Sequence, residues 1–390
     1  MKRRAGFSPA LCILQLFLAV NYRVILIALF ACLLSGQATQ SPEALLKQAV
    51  AFHQAGKLDE AIRDYRLVLD MYPDMFEVRS NLGAALSANG HYDEAITEYK
   101  RVLQIKSNPT TILNLGIAYY KTSQLVPAIE AFEKVRDANP GDMRTILLLA
   151  DCHLRMGENK KVIDLLSPLE RTSSDDQGLI YMLGTALVRD GQAAKGQLVI
   201  EKILKNGESA EARLLMGTTK MMVNDYAGAL VDMQKAVDLN PNLPDVYSYY
   251  GLALLSTGDQ AGAKKAFQRE LQLDPNNFDG NLRMGVLLRQ DEEFEKAMAL
   301  FRHALEIRPG DPGVRYQIAS LELATGQVDA AQRDLESIIK ESPTFTEAHV
   351  SLATVYYRQK RKADGDRERA TVEKLNAARQ AAEPAAKAAQ

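Results

Sequence analysis

The sequence repeats with a period of 33 or 34 residues. A small side chain returns at this interval at ten positions: Ala49, Gly83, Gly116, Ala150, Gly184, Gly217, Gly251, Gly285, Ala319 and Ala353. A second small or apolar residue follows twelve positions after the first nine of these, and a larger apolar residue follows four positions later. A period of this length indicates that one supersecondary unit recurs along the chain, which excludes an ordinary single-core globule.

The spacing of apolar residues within each repeat predicts two helices. In one copy, Leu82 and Leu86 follow helical spacing, Gly90 interrupts the pattern, and helical spacing resumes with Ile96 and Tyr99. A glycine or asparagine stands near the same interrupting position in most copies, where a helix would end. Such a hairpin cannot bury its own apolar face, so neighbouring hairpins must stack. The sequence therefore predicts an all-α chain that forms an α-solenoid.

The clearest copies are NLGAALSANGHYDEAITEYKRVL at 81–103 and NLGIAYYKTSQLVPAIEAFEKV at 114–135. They resemble the tetratricopeptide repeat family, whose 34-residue unit has a small residue at position 8, Ala at 20, an aromatic at 24 and Pro at 32. The resemblance implies a right-handed superhelix of about nine to ten helix hairpins over 42–376. Its units would start near 42, 76, 109, 143, 177, 210, 244, 278, 312 and 346. We expect the polar segment 361–375 to cap the solenoid and 377–390 to be a disordered tail.

Residues 1–38 have the layout of an export signal or a membrane anchor. A basic start, MKRR, precedes two apolar runs that Arg23 separates, and small residues follow Leu34. An uninterrupted span would place Arg23 near the bilayer centre, at a cost of about 3 kcal/mol, so cleavage or lipidation is favoured. Leu29 to Cys32 also looks like a bacterial lipobox, which makes Cys32 a candidate for lipidation. A later start of translation remains an alternative, because 20–38 alone has a compact signal layout.

Composition and motifs argue against several classes of function. The formal net charge is -2 and the pI is near 6.3, which gives no general attraction to nucleic acid. The chain has three cysteines, and no Cys/His spacing resembles a zinc site. It contains no nucleotide-binding or hydrolase motif, and adjacent Cys152 and His153 would diverge on a helix. We therefore expect a protein that is not an enzyme and that needs no cofactor or metal.

The family resemblance also implies where partners would bind. In tetratricopeptide repeats the first helix of each unit lines a concave groove, through positions 2, 5, 6, 9, 12 and 13. The expected peptide-binding residues are Asn81, Leu113, Asn114, Ile117, Tyr120, Arg144, Leu147, Asp151, Arg155, Tyr181, Thr185, Leu214 and Thr218. Asn81 and Asn114 resemble the start of an asparagine ladder that holds peptide backbone in some members. Arg144 and Arg155 would favour acidic or mixed segments.

The expected peptide-binding residues form a stripe along the inner face of the solenoid, and two interpretations of this stripe stay open. It is either an exposed binding groove or a set of residues that tight curvature packs against each other. We expect a non-enzymatic scaffold that binds protein or peptide segments, exported by a bacterium and periplasmic or anchored to the membrane facing the periplasm. The membrane would be reached only through the N-terminal segment. Alternatives are a lipid-anchored component of an envelope assembly or secretion machine, and an accessory subunit of an enzyme complex.

Overall fold

The computed structural model describes residues 41–173, 176–205 and 207–388. The expected signal or anchor at 1–38, with Cys32, lies outside the described residues. Within them the chain forms twenty α-helices, one short 3-10 helix at Ser167–Leu169 and no strand. The predicted all-α solenoid of helix hairpins is confirmed.

The helices pair in chain order into ten repeats. Their bounds are α1 Pro42–Gln54, α2 Leu58–Met71, α3 Phe76–Ala88, α4 Tyr92–Ile105, α5 Pro109–Lys121, α6 Leu125–Ala138, α7 Met143–Arg155, α8 Asn159–Leu166, α9 Gln177–Arg189, α10 Ala193–Leu204, α11 Ala210–Met222, α12 Tyr226–Leu239, α13 Val246–Ser256, α14 Gln260–Leu273, α15 Phe278–Gln290, α16 Phe294–Ile307, α17 Pro312–Ala324, α18 Val328–Glu341, α19 Thr346–Arg358 and α20 Lys362–Ala388. Odd-numbered helices are the first of each repeat. One of them, α13, starts two residues after the unit start expected at 244.

The described residues divide into two compact units. The N-terminal unit ends at Lys106 and contains repeats 1 and 2, and the C-terminal unit begins at Ser107 and contains repeats 3 to 10. Within the C-terminal unit each helix packs on the next one, and first helices of several adjacent repeats also touch, such as α9 with α7 and α11. This is the stacking that a solenoid requires.

Glycine lets the two helices of a repeat approach each other. A Cβ added to Gly83 would lie 2.7 Å from Tyr99, and one added to Gly285 would lie 2.6 Å from Phe301. Both rings are completely buried. The small residue of the first helix therefore receives the large residue of the second helix in the same repeat.

The C-terminal end differs from the expectation of a disordered tail at 377–390. The last helix, α20, begins at Lys362 and continues to Ala388, through all of the expected cap but its first residue and through most of the expected tail. The reason lies in the segment's own composition, because alanine has the highest helix propensity of all residues. The predicted end of the solenoid at 376 rested on the length of a repeat and not on the helix propensity of the residues that follow.

Candidate functional site

A cavity of about 520 Å³ opens within the C-terminal unit, between repeats 3 and 8. One part of its wall comes from the last turns of α5, α7 and α9, which supply Tyr120, Arg155 and Arg189. The facing part comes from the first turns of α11 and α15 and from the residue that precedes α13. Side chains that belong to different repeats therefore line one partly open cavity, as on the inner face of a solenoid.

Arg189 is bound on several sides. Its Nε donates to the Tyr249 hydroxyl at 2.6 Å and its Nη2 to Asp245 Oδ2 at 2.9 Å, while its guanidinium lies 5.4 Å from the centre of the Tyr249 ring. Burial acts to lower the pKa of Arg189, but Tyr249 and Asp245 outweigh it and the pKa is raised. Arg189 is thus a fixed cation whose charge is already neutralised by an internal carboxylate.

Arg155 is held in a similar way. Its Nη2 donates to Asp274 Oδ2 at 3.2 Å, and its guanidinium lies 5.5 Å from the centre of the Tyr120 ring. The Tyr120 hydroxyl donates to Asp151 Oδ2 at 2.6 Å. Burial raises the pKa of Asp151 in spite of this hydrogen bond. These contacts link repeats 3 and 4 to the end of repeat 7.

Arg308 reaches the cavity from the end of repeat 8. Its Nε donates to the backbone oxygen of Arg155 at 2.5 Å, and its guanidinium stacks 3.7 Å from the centre of the Phe278 ring. It forms no ion pair with any described residue, and burial lowers its pKa. All three arginines of the cavity are therefore stacked on an aromatic ring and hydrogen-bonded inside the protein.

The segment before α13 has a strained backbone. Asp245 has a φ of +64°, in the left-handed region that residues other than glycine seldom adopt. Its side chain does not cap α13 but instead binds Arg189 and accepts from Asn277 Nδ2 at 2.6 Å. Glu270 of the neighbouring helix α14 replaces it as the cap, because its Oε2 accepts from the backbone N–H groups of Tyr247 and Ser248 at 3.0 and 3.1 Å.

Glu270 is an almost completely buried carboxyl group. Burial, followed by repulsion from Asp245, raises its pKa to about 7, and the two backbone N–H groups oppose this rise. Asn277 connects Glu270 with Asp245, since its Nδ2 also lies 3.3 Å from Glu270 Oε1. The polar wall of the cavity is thus supported by a buried hydrogen-bond network behind it.

The charges that line the cavity are unequal. Three arginines face six carboxylates: Asp151, Glu208, Glu211, Asp245, Asp274 and Asp279. Two of the six pair with arginines of the cavity, and Glu208 pairs with Arg213. Glu211 and Asp279 are half-buried and make no hydrogen bond or ion pair with the residues that the structure describes. The cavity therefore keeps an excess of negative charge.

Comparison with protein families agrees with the helix hairpins. Two models described as "Tetratricopeptide repeat" match residues 52–116 and 288–339, and residues 214–278, 251–312 and 316–365. Together they match more than half of the chain. The chain belongs to the tetratricopeptide repeat family. A model described as "Anaphase-promoting complex, cyclosome, subunit 3" also matches residues 88–169.

Two curated proteins are similar to parts of this chain. "Protein CTR9 homolog" of Arabidopsis thaliana is 27% identical over 106 residues, which are 27% of this chain and 10% of that protein. "DnaJ homolog subfamily C member 3" of Homo sapiens is 23% identical over 180 residues, which are 42% of this chain and 35% of that protein. The chain thus spans between about a tenth and a third of the length of these curated relatives.

A solved structure of similar fold is the crystal structure of the APC/C hetero-tetramer Cut9–Hcn1. A chain in it superposes with a TM-score of 0.54 at 11% identity, over 88% of each chain. At that identity the likeness concerns the fold alone.

Five of the groove residues expected for this tetratricopeptide repeat protein line the cavity. They are Tyr120, Asp151, Arg155, Tyr181 and Thr185. Seven others in the C-terminal unit do not line it: Leu113, Asn114, Ile117, Arg144, Leu147, Leu214 and Thr218. Asn81 is an exposed residue of the N-terminal unit. The structure therefore places five of the expected groove residues at the cavity and the other eight outside it.

Packing explains the separation of two apolar residues. Leu214 is 2% exposed and belongs to a core cluster with Met233 and Val246. Leu147 is half-buried and packs against the core cluster that contains Leu183. For these two residues, the alternative in which curvature packs the stripe describes the structure better than an open groove does.

The expected preference for acidic segments rested on Arg144 and Arg155. Arg144 is exposed and does not line the cavity, and Arg155 is already paired with Asp274. Neither arginine is therefore placed to attract an acidic segment into the cavity.

Sequence reasoning missed Asp245, Asp274 and Arg308 as residues of the cavity. They lie in turns between helices, where the repeat pattern gives no signal. A signal did exist for Glu270, because a carboxylate occupies a position that is usually small and apolar in this family.

No metal or membrane site emerges from the geometry. Among the described residues, no group of three or more His, Cys, Asp or Glu side chains could hold a metal ion. Across 41–173, 176–205 and 207–388, none of the helices combines the length and the apolar character needed to cross a bilayer. Burial raises the pKa of the Cys152 thiol to about 12, and His153 instead contacts Glu158. These two neighbours therefore do not form a nucleophile pair.

Proposed function

We propose that this chain is a scaffold without enzymatic activity that binds segments of other proteins in the cavity between repeats 3 and 8. The observation that supports the proposal is the cavity itself, a partly open space of about 520 Å³ between stacked repeats, with apolar and charged walls. Ligand sites in proteins have this size and this mixture of surfaces. Solenoids bind partners through such concave surfaces.

A photo-crosslinking residue placed at Gln177 tests the proposal. Gln177 is exposed and lines the cavity, so the substitution leaves the core intact. The matched control is the same residue at Glu130, which is exposed on α6, a second helix of a repeat. We expect protein crosslinks in living cells from position 177 and few from position 130. Crosslinks from 130 alone, or equal crosslinks from both, would contradict binding in the cavity.

We further propose that the protein is exported and acts in the periplasm or on the membrane facing it. Support comes from the sequence of residues 1–38, with its basic start, apolar runs and small residues after Leu34. We expect N-terminal sequencing of the protein from a fractionated bacterial host to find a mature chain that lacks at least residues 1–31. Recovery of an intact Met1 from the cytosolic fraction would contradict export. Mass spectrometry of the same material tests lipidation of Cys32.

A further inference from the structure

The charges in the cavity indicate which kind of segment it accepts. Arg155 and Arg189 are neutralised by Asp274 and Asp245 respectively. Arg308 is stacked on Phe278 and hydrogen-bonded to a backbone oxygen. The arginines therefore serve the protein's own structure, and the groups left for an incoming ligand are mostly acidic.

Glu211 and Asp279 are acidic groups of the cavity that form no hydrogen bond or ion pair with a described residue. Both line the cavity and both are half-buried, and Asp279 attracts Arg189 and Arg308 at longer range. With Asp151 protonated, the other five carboxylates of the wall still outnumber its three arginines together with Arg213, which pairs with Glu208. A half-buried carboxylate without an ion pair gains more from a cation than one in open water does, because the effective dielectric constant around it is lower.

The apolar part of the wall suits the stem of a long basic side chain. Met182 and Ile203 line the cavity together with the ring of Tyr181, and all three side chains are half-buried. Lysine and arginine bury their methylene groups against such surfaces while the charged end meets a polar group. A short amine would leave this apolar surface uncovered.

From these observations we infer that the cavity binds a protein segment through an inserted lysine or arginine side chain, whose cation is attracted by the excess carboxylates of the wall, Glu211 and Asp279 among them. The inference rests on the proposed function and adds the chemistry of the partner. It replaces the acidic preference that the sequence predicted.

Glu211 and Asp279 also stabilise the helices on which they lie. The experiment must distinguish this structural role from their proposed role in binding a cation. Each lies in the first turn of its helix, at the second position of its repeat, where negative charge stabilises the helix end. Glu77 and Glu347 occupy the same position in repeats 2 and 10, are exposed, and do not line the cavity. Replacing that pair removes the same charge from equivalent helix ends.

Peptide binding to the full-length chain provides the test. The chain has no tryptophan, so Gln177→Trp places a single fluorescent reporter at the cavity wall. The probes are three synthetic peptides of about twelve residues that share alanine and leucine and carry lysine, glutamine or glutamate. We expect the lysine peptide to bind at least tenfold more tightly than the glutamate peptide. Glu211→Gln with Asp279→Asn should weaken it by about tenfold, and Glu77→Gln with Glu347→Gln should leave it unchanged.

Several results would overturn the inference. One is tighter binding of the glutamate peptide, and another is an unchanged affinity for the lysine peptide in the Glu211→Gln, Asp279→Asn variant. Fluorescence changes with spermidine but not with the lysine peptide would show that the cavity takes a small polyamine. If photo-crosslinks from position 177 form in that variant with the same yield as in the wild type, segments still bind in the cavity, so the proposed function stands and the basic preference fails. If those crosslinks are absent from the wild-type chain as well, the proposed function itself fails.

Discussion

Glu270 caps α13 in place of Asp245, the residue that precedes this helix. An aspartate before a helix usually caps it, but Asp245 points to Arg189 while Glu270 caps α13 from the next helix. The left-handed backbone of Asp245 costs on the order of 1 kcal/mol or more. Its ion pair with Arg189 and its hydrogen bond from Asn277 offset that cost.

Glu270→Gln is expected to change how stability depends on pH. The folded-state pKa of about 7 lies above the ordinary value of 4.5, so the folded protein binds this proton more tightly than the unfolded chain does. The contribution of Glu270 to stability is therefore complete below about pH 4.5 and is lost as the pH rises through 7, a change of roughly 3 kcal/mol. Glutamine does not titrate. Urea unfolding at pH 5 and pH 8 should show the variant gaining stability relative to the wild type at the higher pH.

The control for this experiment is Glu295→Gln, which changes an exposed carboxylate on α16. Its unfolding free energy should stay parallel to that of the wild type at both pH values. Equally parallel behaviour of Glu270→Gln would show that Glu270 titrates normally in the folded protein.

Gly217→Leu is expected to destabilise the C-terminal unit by about 3 kcal/mol or more. An added Cβ would lie 2.7 Å from Met233 Cγ and 3.2 Å from the backbone oxygen of Ala229, so the helices must separate. Lys235→Leu adds a leucine at an exposed position of the partner helix and should change stability by less than about 0.5 kcal/mol. Thermal unfolding measures the melting temperatures of both variants and of the wild type. An unchanged melting temperature for Gly217→Leu would mean that this helix contact is not as tight as described.

At the scale of the element, each of the ten first helices is followed, two positions after its last residue, by a residue at positive φ. Six of these residues are glycines, and one is Asn224. The remaining three are Ser123, Glu292 and Lys360, with φ values of 57°, 60° and 61°. Backbone N–H groups after each helix bond back to its last turn, as from Glu293 to the oxygen of Leu288 at 2.8 Å. The chain thus reverses direction in the same way in every repeat, with or without glycine.

Glu292→Gly is expected to stabilise the protein by about 0.5–1 kcal/mol. Glycine adopts this backbone conformation without steric cost, although its greater freedom in the unfolded chain removes part of the gain. Gly326→Ala is the reverse experiment, because its φ is +83° and an added Cβ would meet no atom within 4 Å. It should lose stability by about 1 kcal/mol. Chemical denaturation measures both, and a shift of the same sign in the two variants would contradict this account.

At the scale of the molecule, contacts within the C-terminal unit join repeats that are not neighbours. Arg155 in repeat 4 pairs with Asp274 at the end of repeat 7, and Arg308 of repeat 8 donates to the backbone oxygen of Arg155. A simple solenoid has contacts between adjacent repeats only, so its repeats can unfold in segments. The contacts across the cavity connect repeats 4 to 8 and should make them unfold together.

Arg308→Gln is expected to lower both stability and cooperativity. It removes the stacking on Phe278 and a charged hydrogen bond, at a cost of about 2 kcal/mol, and it disconnects repeat 8 from repeat 4. Urea unfolding followed by circular dichroism should show an earlier midpoint and a shallower transition. Arg302→Gln, at an exposed position of α16, the helix that precedes Arg308, should change neither. An earlier midpoint with an unchanged slope would mean that repeats 4 to 8 do not depend on this contact to unfold as one.

The sequence by itself determined the helix hairpins. The period places Gly83 against Tyr99 and Gly285 against Phe301, and it puts a left-handed turn after each first helix, because these contacts are local and recur in each repeat. The same pattern indicated the inner face and so found Tyr120, Arg155 and Tyr181.

Only the tertiary structure decided which inner residues share a cavity and what charge it carries. That outcome depends on pairs such as Arg189 with Asp245 and Arg155 with Asp274, which lie 56 and 119 residues apart. A repeat pattern does not predict such pairs, because it describes each unit and its contacts with the adjacent unit. These contacts depend instead on the curvature that accumulates over several repeats. Of the two arginines that suggested an acidic partner in the sequence, Arg155 is paired with Asp274 inside the fold and Arg144 is exposed outside the cavity. Glu211 and Asp279 line the cavity without an ion pair.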